Sequence, residues 1–227
     1  MNVGIIVAAG SGTRFGGSRP KQFLEIGGKP LLIHTIEKFE HCAEIDEIIL
    51  VLSRVEIEGF QAVADKFKLA KLKKIVAGGE TRAESVYNGL SSIDNSSAET
   101  VAVHDGARPF VSCEEIAATV QKAKETGAAC LVAPVTDTIK EIADGEIVRT
   151  IERVRLRRAL TPQTFRFEIL EKAFANADLS EAATDECFLV ERLGQKIAVV
   201  EGSAKNIKIT TREDWEIAEI FLKETDN

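Results

Sequence analysis

The chain has 227 residues, 44% hydrophobic and 29% charged, with a formal net charge of −7. That length suits one sizeable α/β core, and the mixed composition, with no apolar run of membrane-spanning length, sets aside a membrane-spanning class. An acidic balance argues against a broad nucleic-acid surface, so any anionic ligand has to be met by a local concentration of arginine and lysine. One domain over 1–227 is expected. With no basic, apolar leader at the N-terminus, a soluble cytoplasmic protein is expected too. Cys42, Cys113, Cys130 and Cys187 form no Cys-x-x-Cys pair and the three histidines stand away from them, which reads as reduced thiols rather than a metal centre.

Val3 to Ala9 is an uninterrupted apolar run, the pattern of a strand buried on both faces, and it empties into glycine. Gly10, Gly12, Gly16 and Gly17 let the following loop bring its amides close to a ligand, while Arg14, Arg19 and Lys21 add fixed positive charge. Amides and cations converging after a buried strand suit a polyphosphate; a plain glycine-rich turn with solvated basic residues is the bland alternative. Two familiar phosphate loops fail here. Gly12 and Gly17 have the Walker spacing, but Ser18 stands where its lysine belongs. The dinucleotide fingerprint starts as Gly10-Ser11-Gly12 and then meets Phe15, and the second strand ends at Arg54 with no acid for a ribose, so a nicotinamide enzyme is disfavoured.

Leu31, Leu32, Thr35, Ile36 and Phe39 make a helical stripe with Pro30 at its first turn. Asp46–Leu52 reads as a second buried strand, Ile57–Phe67 as an amphipathic segment and Lys74–Ala77 as a third strand. Strands alternating with helices predict a Rossmann-like, doubly wound, mostly parallel sheet with ligands at the carboxyl ends of its strands. Gly78-Gly79-Glu80-Thr81-Arg82-Ala83-Glu84-Ser85 follows the third strand and leads into a helix anchored by Val86, Leu90 and Ile93. This segment reads equally as base recognition through backbone or as a helix cap with Glu80 and Glu84 near the positive end of the dipole. Thr100-Val-Ala-Val-His-Asp105 is the next strand; Asp105 could face a metal or a ribose hydroxyl, Arg108 adds a cation, and His104 reads as a satisfied strand-end histidine rather than a catalytic one.

A helix over Glu114–Glu125 and a strand over Ala128–Val135 end the regular alternation. Period-two patterning on both sides of Asp144-Gly145 then predicts a protruding β-hairpin arm, inserted over about 136–158. A two-stranded hairpin is marginal alone in water, so the arm is expected to clasp a second copy in a homodimer. Further on, Phe167–Asn176 is expected to be helical and Thr184-Asp185-Glu186 to cap another helix that Gly194 ends. Lys196–Val200 and Asn206–Ile209 read as strands, and a C-terminal helix over Thr211–Lys223 is expected to bury Trp215, Ala218 and Phe221.

Ala9-Gly10-Ser11-Gly12-Thr13-Arg14 followed by Pro20-Lys21 resembles the opening of the sugar-phosphate nucleotidyltransferases. Further motifs narrow the resemblance to the 2-C-methyl-D-erythritol 4-phosphate cytidylyltransferase branch: Gly78-Gly79-Glu80 with Ser85, Val103-His104-Asp105 with Ala107-Arg108-Pro109, Asp137-Thr138, Ala159-Leu160-Thr161-Pro162-Gln163, Thr184-Asp185-Glu186 and Asn206-Ile207-Lys208. The sequence departs from that pattern at Phe15, where methionine is frequent, and at Gly106, where alanine is usual and glycine is expected to loosen the loop bearing Asp105.

The resemblance implies that Ala8, Ala9, Gly10, Gly79, Glu80, Ser85 and Asp105 hold CTP, that Arg14 and Lys21 are catalytic beside its triphosphate, and that Mg²⁺ assists, with Asp105 its candidate ligand. It also implies a polyol phosphate acceptor met by Arg108, Thr138, Arg153, Thr161, Thr184 and Lys208, with Thr138 and Arg153 reaching the partner subunit's site from the arm. Ribitol 5-phosphate as acceptor, and a regulator that binds CTP without turning it over, stay open at this point. No nucleic acid or membrane partner is expected.

Overall fold

The run Asn2–Ala8 forms β1, and its side chains alternate between two hydrophobic layers. The computed structural model describes residues 1–10, 15, 20–94, 97–178 and 185–225. After β1 come the short strands β2 (Glu25–Ile26) and β3 (Lys29–Pro30), α1 (Leu31–His41), β4 (Glu47–Leu52), α2 (Ile57–Ala64), β5 (Leu72–Ala77), α3 (Arg82–Ser91), β6 (Thr100–Asp105), α4 (Cys113–Thr126) and β7 (Ala128–Pro134). The remainder is β8 (Ile139–Ala143), β9 (Glu146–Ile151), β10 (Arg157–Arg166), α5 (Phe167–Ala175), α6 (Glu186–Glu191), β11 (Ala198–Glu201) and α7 (Arg212–Thr225).

Seven strands make the main sheet in the order β11-β7-β10-β6-β1-β4-β5. β1 pairs in parallel with both β4 and β6, β4 with β5, and β7 with β11, so the sheet is mostly parallel as its sequence pattern predicts. The chain winds from β1 outward to β4 and β5, then returns to the other side of β1 as β6. The connections leaving β1 and β6 therefore diverge, and the crevice above their carboxyl ends is where such sheets take ligands.

Strand side chains alternate between the two faces, which explains why the central strands carry no polar period. Ile5, Val51 and Val103 pack with Val86 and Leu90 of α3, Leu170 of α5 and Leu189 of α6. Ile6, Leu50 and Ala102 pack with Leu32 and Ile36 of α1, Phe60 of α2 and Val120 of α4. A smaller cluster joins Ile26, Leu31, Ile209 and Ala218, with Trp215 and Leu222 of α7 against it.

One strand goes unanticipated in the sequence, and one expectation needs correction. β10 is a strand at the heart of the sheet, antiparallel to β6 and β7, although Pro162 disguises it. Its register with β7 shifts between Ala159 and Gln163, so the proline falls where the ladder is interrupted and no donor is missed. Asn206–Ile209, read as a strand, is irregular: the Ile209 amide donates to the Ala107 carbonyl and the Arg108 guanidinium to the Asn206 carbonyl, which pins the segment to the turn after β6 instead of to a ladder.

Gly106 also behaves differently from expectation. Its amide donates to the Val7 carbonyl at 2.8 Å, its carbonyl accepts from Thr35 Oγ1 at 2.9 Å, and an added Cβ would lie 2.9 Å from both Ala8 Cβ and Leu32 Cδ1. Glycine here lets the turn sit hard against β1 and tightens it. β8 and β9 form the expected hairpin as a separate two-stranded sheet, turning at Asp144 (φ 50°) and Gly145 (φ 83°), a pair of left-handed residues suited to a tight hairpin turn. The arm is exposed along its length, including Ile142, Ile147 and Val148.

Candidate active site

The switch-point crevice holds a cavity of about 330 Å³ with three walls. The first is the end of β1, Val7 to Gly10, with Lys21 and Gln22. Gln22 is buried and its Nε2 donates to the carbonyls of Ala8 (2.9 Å) and Gly10 (3.2 Å). One side chain thus ties the strand end to the 3₁₀ turn Lys21–Phe23, which presents Lys21 to the cavity.

The second wall is the N-terminus of α3, where Gly79, Glu80, Thr81, Arg82 and Ser85 line the cavity. Thr81 Oγ1 accepts from the Glu84 amide, and Glu84 Oε2 accepts from the amides of Glu80 (2.6 Å) and Thr81 (3.1 Å). Ser85 Oγ accepts from the Gly79 amide and donates to the Thr81 carbonyl. The capping reading is therefore correct for Glu84: this wall is a rigid capping box, with the helix's positive end turned to the crevice.

The third wall is ionic. Asp105, at the end of β6, accepts on Oδ1 from Arg82 Nε (3.2 Å) and on Oδ2 from Lys208 Nζ (2.9 Å) and Arg108 Nε (3.3 Å). Burial alone would raise its carboxyl, but these three cations, Arg82 foremost, hold it well below the usual carboxylate range. Arg82 also reaches Glu186 Oε1 at 2.5 Å; burial works against its charge, yet Glu186 and Asp105 outweigh that and raise its pKa.

Behind Asp105 lies a chain of neutral hydrogen bonds. The Asp105 amide donates to Thr161 Oγ1 (3.2 Å), Thr161 Oγ1 meets His104 Nδ1 (2.9 Å), and His104 Nε2 meets the Arg108 carbonyl (3.0 Å). These partners assign the tautomer: Nε2–H donates to the carbonyl, leaving Nδ1 to accept from the threonine hydroxyl. Burial pushes His104 down to about 4, so the ring is neutral at pH 7.

The structure thus brings Ala8, Ala9, Gly10, Lys21, Gly79, Glu80, Ser85, Asp105 and Lys208 together around one cavity. Arg108 stands beside it through Asp105 and Asn206. Thr161 stands behind the cavity wall: it is buried, and its hydroxyl is taken by His104 and the Asp105 amide. Thr138 and Arg153 are exposed on the arm and do not line their own chain's cavity; Arg153 donates instead to the Thr136 carbonyl. Arg14 and Thr184 lie outside the described residues. Sequence reasoning passed over Arg82, Gln22 and Glu186, whose partners are brought to them only by the fold.

A doubly wound sheet with a cationic switch-point crevice, and with its strand-end histidine locked away from solvent, defines an α/β nucleotide-binding protein built for electrostatics rather than proton transfer. The chain belongs to the 2-C-methyl-D-erythritol 4-phosphate cytidylyltransferase family, whose profile matches residues 2–224. It is 44% identical over 223 residues to the enzyme of that name from Alkaliphilus metalliredigens (97% of this chain, 92% of the relative). It is 42% identical over 225 residues to that of Bacillus licheniformis (98% and 96%). Among solved structures, 4-diphosphocytidyl-2C-methyl-D-erythritol synthase from Anaerococcus prevotii superposes with a TM-score of 0.85 at 32% identity, covering 98% of this chain and 96% of its own.

Proposed function

We propose that the chain joins CTP to 2-C-methyl-D-erythritol 4-phosphate, giving 4-diphosphocytidyl-2-C-methyl-D-erythritol and pyrophosphate in non-mevalonate isoprenoid biosynthesis. The observation that carries this reading is the placement of two cationic groups around one crevice: Lys21 on the β1 side beside the α3 cap, and Lys208 with Arg108 across from it at Asp105. Two phosphorylated molecules can meet between them. Ala8, Ala9, Gly10, Gly79, Glu80 and Ser85 hold cytidine, with Asp105 toward the ribose; Arg14 and Lys21 embrace the triphosphate, and Lys208, with Arg108 behind it, receives the acceptor's phosphate.

An oxygen of the acceptor phosphate attacks the α-phosphorus. The new P–O bond forms as the bond from that phosphorus to the β-phosphate oxygen breaks, and pyrophosphate leaves with the electron pair. No proton need be removed, because a phosphate monoester is already ionised at neutral pH; a neutral, enclosed His104 agrees with such a step. Charge builds on oxygens facing Lys21 and Arg14, so catalysis is positioning and electrostatics.

Among the described residues no three His, Cys, Asp or Glu side chains converge as a metal cage. Asp105, the candidate ligand, does not fit that role as it stands, because both of its oxygens are already taken by Arg82, Arg108 and Lys208 and three cations at one carboxylate repel a dication; Mg²⁺ would arrive on the phosphates of the triphosphate itself. Bound there, it would neutralise phosphate charge.

The exposed apolar residues of the arm support a homodimer in which Thr138 and Arg153 serve the partner's crevice. Among the described residues no helix is long and apolar enough to cross a membrane; we place the enzyme in the cytoplasm because its reaction consumes CTP. The test is pyrophosphate release from CTP and Mg²⁺ with 2-C-methyl-D-erythritol 4-phosphate, with ribitol 5-phosphate, and with no acceptor. Release with the first far above the other two is expected. Preference for ribitol 5-phosphate, or CTP binding with no release in any arm, would overturn the reading.

A further inference from the structure

Arg82 and Glu186 have no part in the reaction as described so far. Arg82 begins α3, Glu186 begins α6, and the two meet across 104 positions of sequence. The Arg82 side chain is about a quarter exposed and lines the cavity, whereas that of Glu186 is 1% exposed. Glu186 Oε1 binds Arg82 Nη1, while Oε2 is buried with no hydrogen-bond partner among the described residues. A buried carboxylate oxygen without a partner costs stability, and folds retain such groups where a site needs them.

The surroundings hold Glu186 firmly. Asp185 Oδ1 accepts from the Phe188 amide and caps α6, while Gln163 of β10 donates to Asp185 Oδ2 and accepts from the Cys187 amide. The residues flanking Glu186 are therefore fastened to the centre of the sheet. Arg82 is fixed at two atoms, Nε on Asp105 and Nη1 on Glu186. Its Nη2 has no partner among the described residues, and a guanidinium carries five N–H donors in a planar fork.

We propose that Arg82 is a further catalytic residue, donating from its remaining guanidinium N–H groups to the phosphate oxygens at the reacting phosphorus, and that Glu186 is the residue that positions it. The placement supports this: Arg82 lines the cavity at the start of α3 and shares Asp105 with Lys208 of the acceptor side, so its remaining N–H groups lie where the nucleotide and the acceptor phosphate converge. The two carboxylates act as a bracket, orienting the guanidinium before substrate arrives and keeping it from collapsing onto either phosphate. The inference rests on the reaction proposed above.

Steady-state kinetics with CTP and 2-C-methyl-D-erythritol 4-phosphate, on proteins whose folding is checked by circular dichroism, test both residues. Arg82→Lys keeps a charge but loses the fork, and kcat is expected to fall about 100-fold with KM for CTP changed much less. Glu186→Gln is expected to lower kcat about tenfold through misplacement of Arg82, with Glu186→Asp recovering most of the loss. Because Glu186 acts through Arg82, the double variant Arg82→Lys/Glu186→Gln should be no slower than Arg82→Lys alone. A folded Arg82→Lys variant with near-normal kcat, or losses that multiply in the double variant, would overturn the proposal. A wild-type chain that releases no pyrophosphate would take down the underlying reaction and this proposal together, whereas an active wild type with an equally active Arg82→Lys variant takes down this proposal alone.

Discussion

His104, on β6, is fully buried against Phe39 of α1, where an imidazolium would have no water to hold it, and both ring nitrogens are occupied by Thr161 and the Arg108 carbonyl. Its pKa is about 4 when folded and near 6.5 when unfolded, so the unfolded chain takes up a proton over that window while the folded chain does not. Stability is therefore fully present above pH 6.5 and falls as pH drops toward 4, by about 1.4 kcal/mol per pH unit from this residue. Urea unfolding at pH 7 and pH 5 should show that loss, and His104→Asn should flatten it; an unchanged slope would mean that the ring is not buried neutral. Asp105 adds to the acid sensitivity at lower pH, since its depressed carboxyl stabilises the fold above the ordinary carboxylate range and ceases to as pH falls below it. Lys21→Ala should lower kcat by about 100- to 1000-fold in a folded protein, the size of effect seen when one preorganised donor is removed; near-normal turnover would remove Lys21 from the mechanism. Ala8 ends a strand, Gly79 follows one and Lys21 follows the glycine loop, positions that the motifs carrying the resemblance single out and that the fold places around one cavity. The roles of Arg82, Gln22 and Glu186 were not legible, because each has meaning only through a partner that the fold supplies.

At the scale of elements, the strands with continuous apolar runs were read correctly, since burial on both faces leaves an unmistakable pattern in β1, β4, β6 and β7. β10 escaped because a proline in its middle mimics a loop, and only the register shift against β7 shows how the sheet accommodates it. That strand matters to the site: Gln163 of β10 fastens the start of α6, and Thr161 supports Asp105. Gln163→Ala leaves the Cys187 amide and one Asp185 oxygen unpaired, and an unpaired buried polar group costs about 1–3 kcal/mol. Chemical denaturation should show a loss of that order, and a variant as stable as wild type would mean that α6 is held by its apolar contacts alone.

For the molecule as a whole, the exposed arm is the feature that a single chain leaves unexplained. β8 and β9 carry Ile142, Ile147 and Val148 into solvent at more than half exposure, and the arm adds nothing to its own chain's cavity. If it completes the neighbour's crevice, the variants Lys21→Ala and Arg153→Ala should each be nearly inactive, yet a refolded equimolar mixture should recover about a quarter of wild-type activity through sites that inherit neither change. Sedimentation should show a dimer that is lost when 139–151 is replaced by a short turn. No recovery on mixing, or an active monomer after the replacement, would confine catalysis to one chain.

The central claim is that the crevice between β1 and β6 receives a nucleoside triphosphate, and the most direct test is a crystal structure of the chain with CTP and Mg²⁺. The account requires the cytidine between Ala8–Gly10 and Gly79–Ser85, the ribose toward Asp105 and the phosphates beside Lys21, with Lys208 facing the α-phosphate from the far side. A crystal in which CTP binds elsewhere while that crevice stays empty would contradict it.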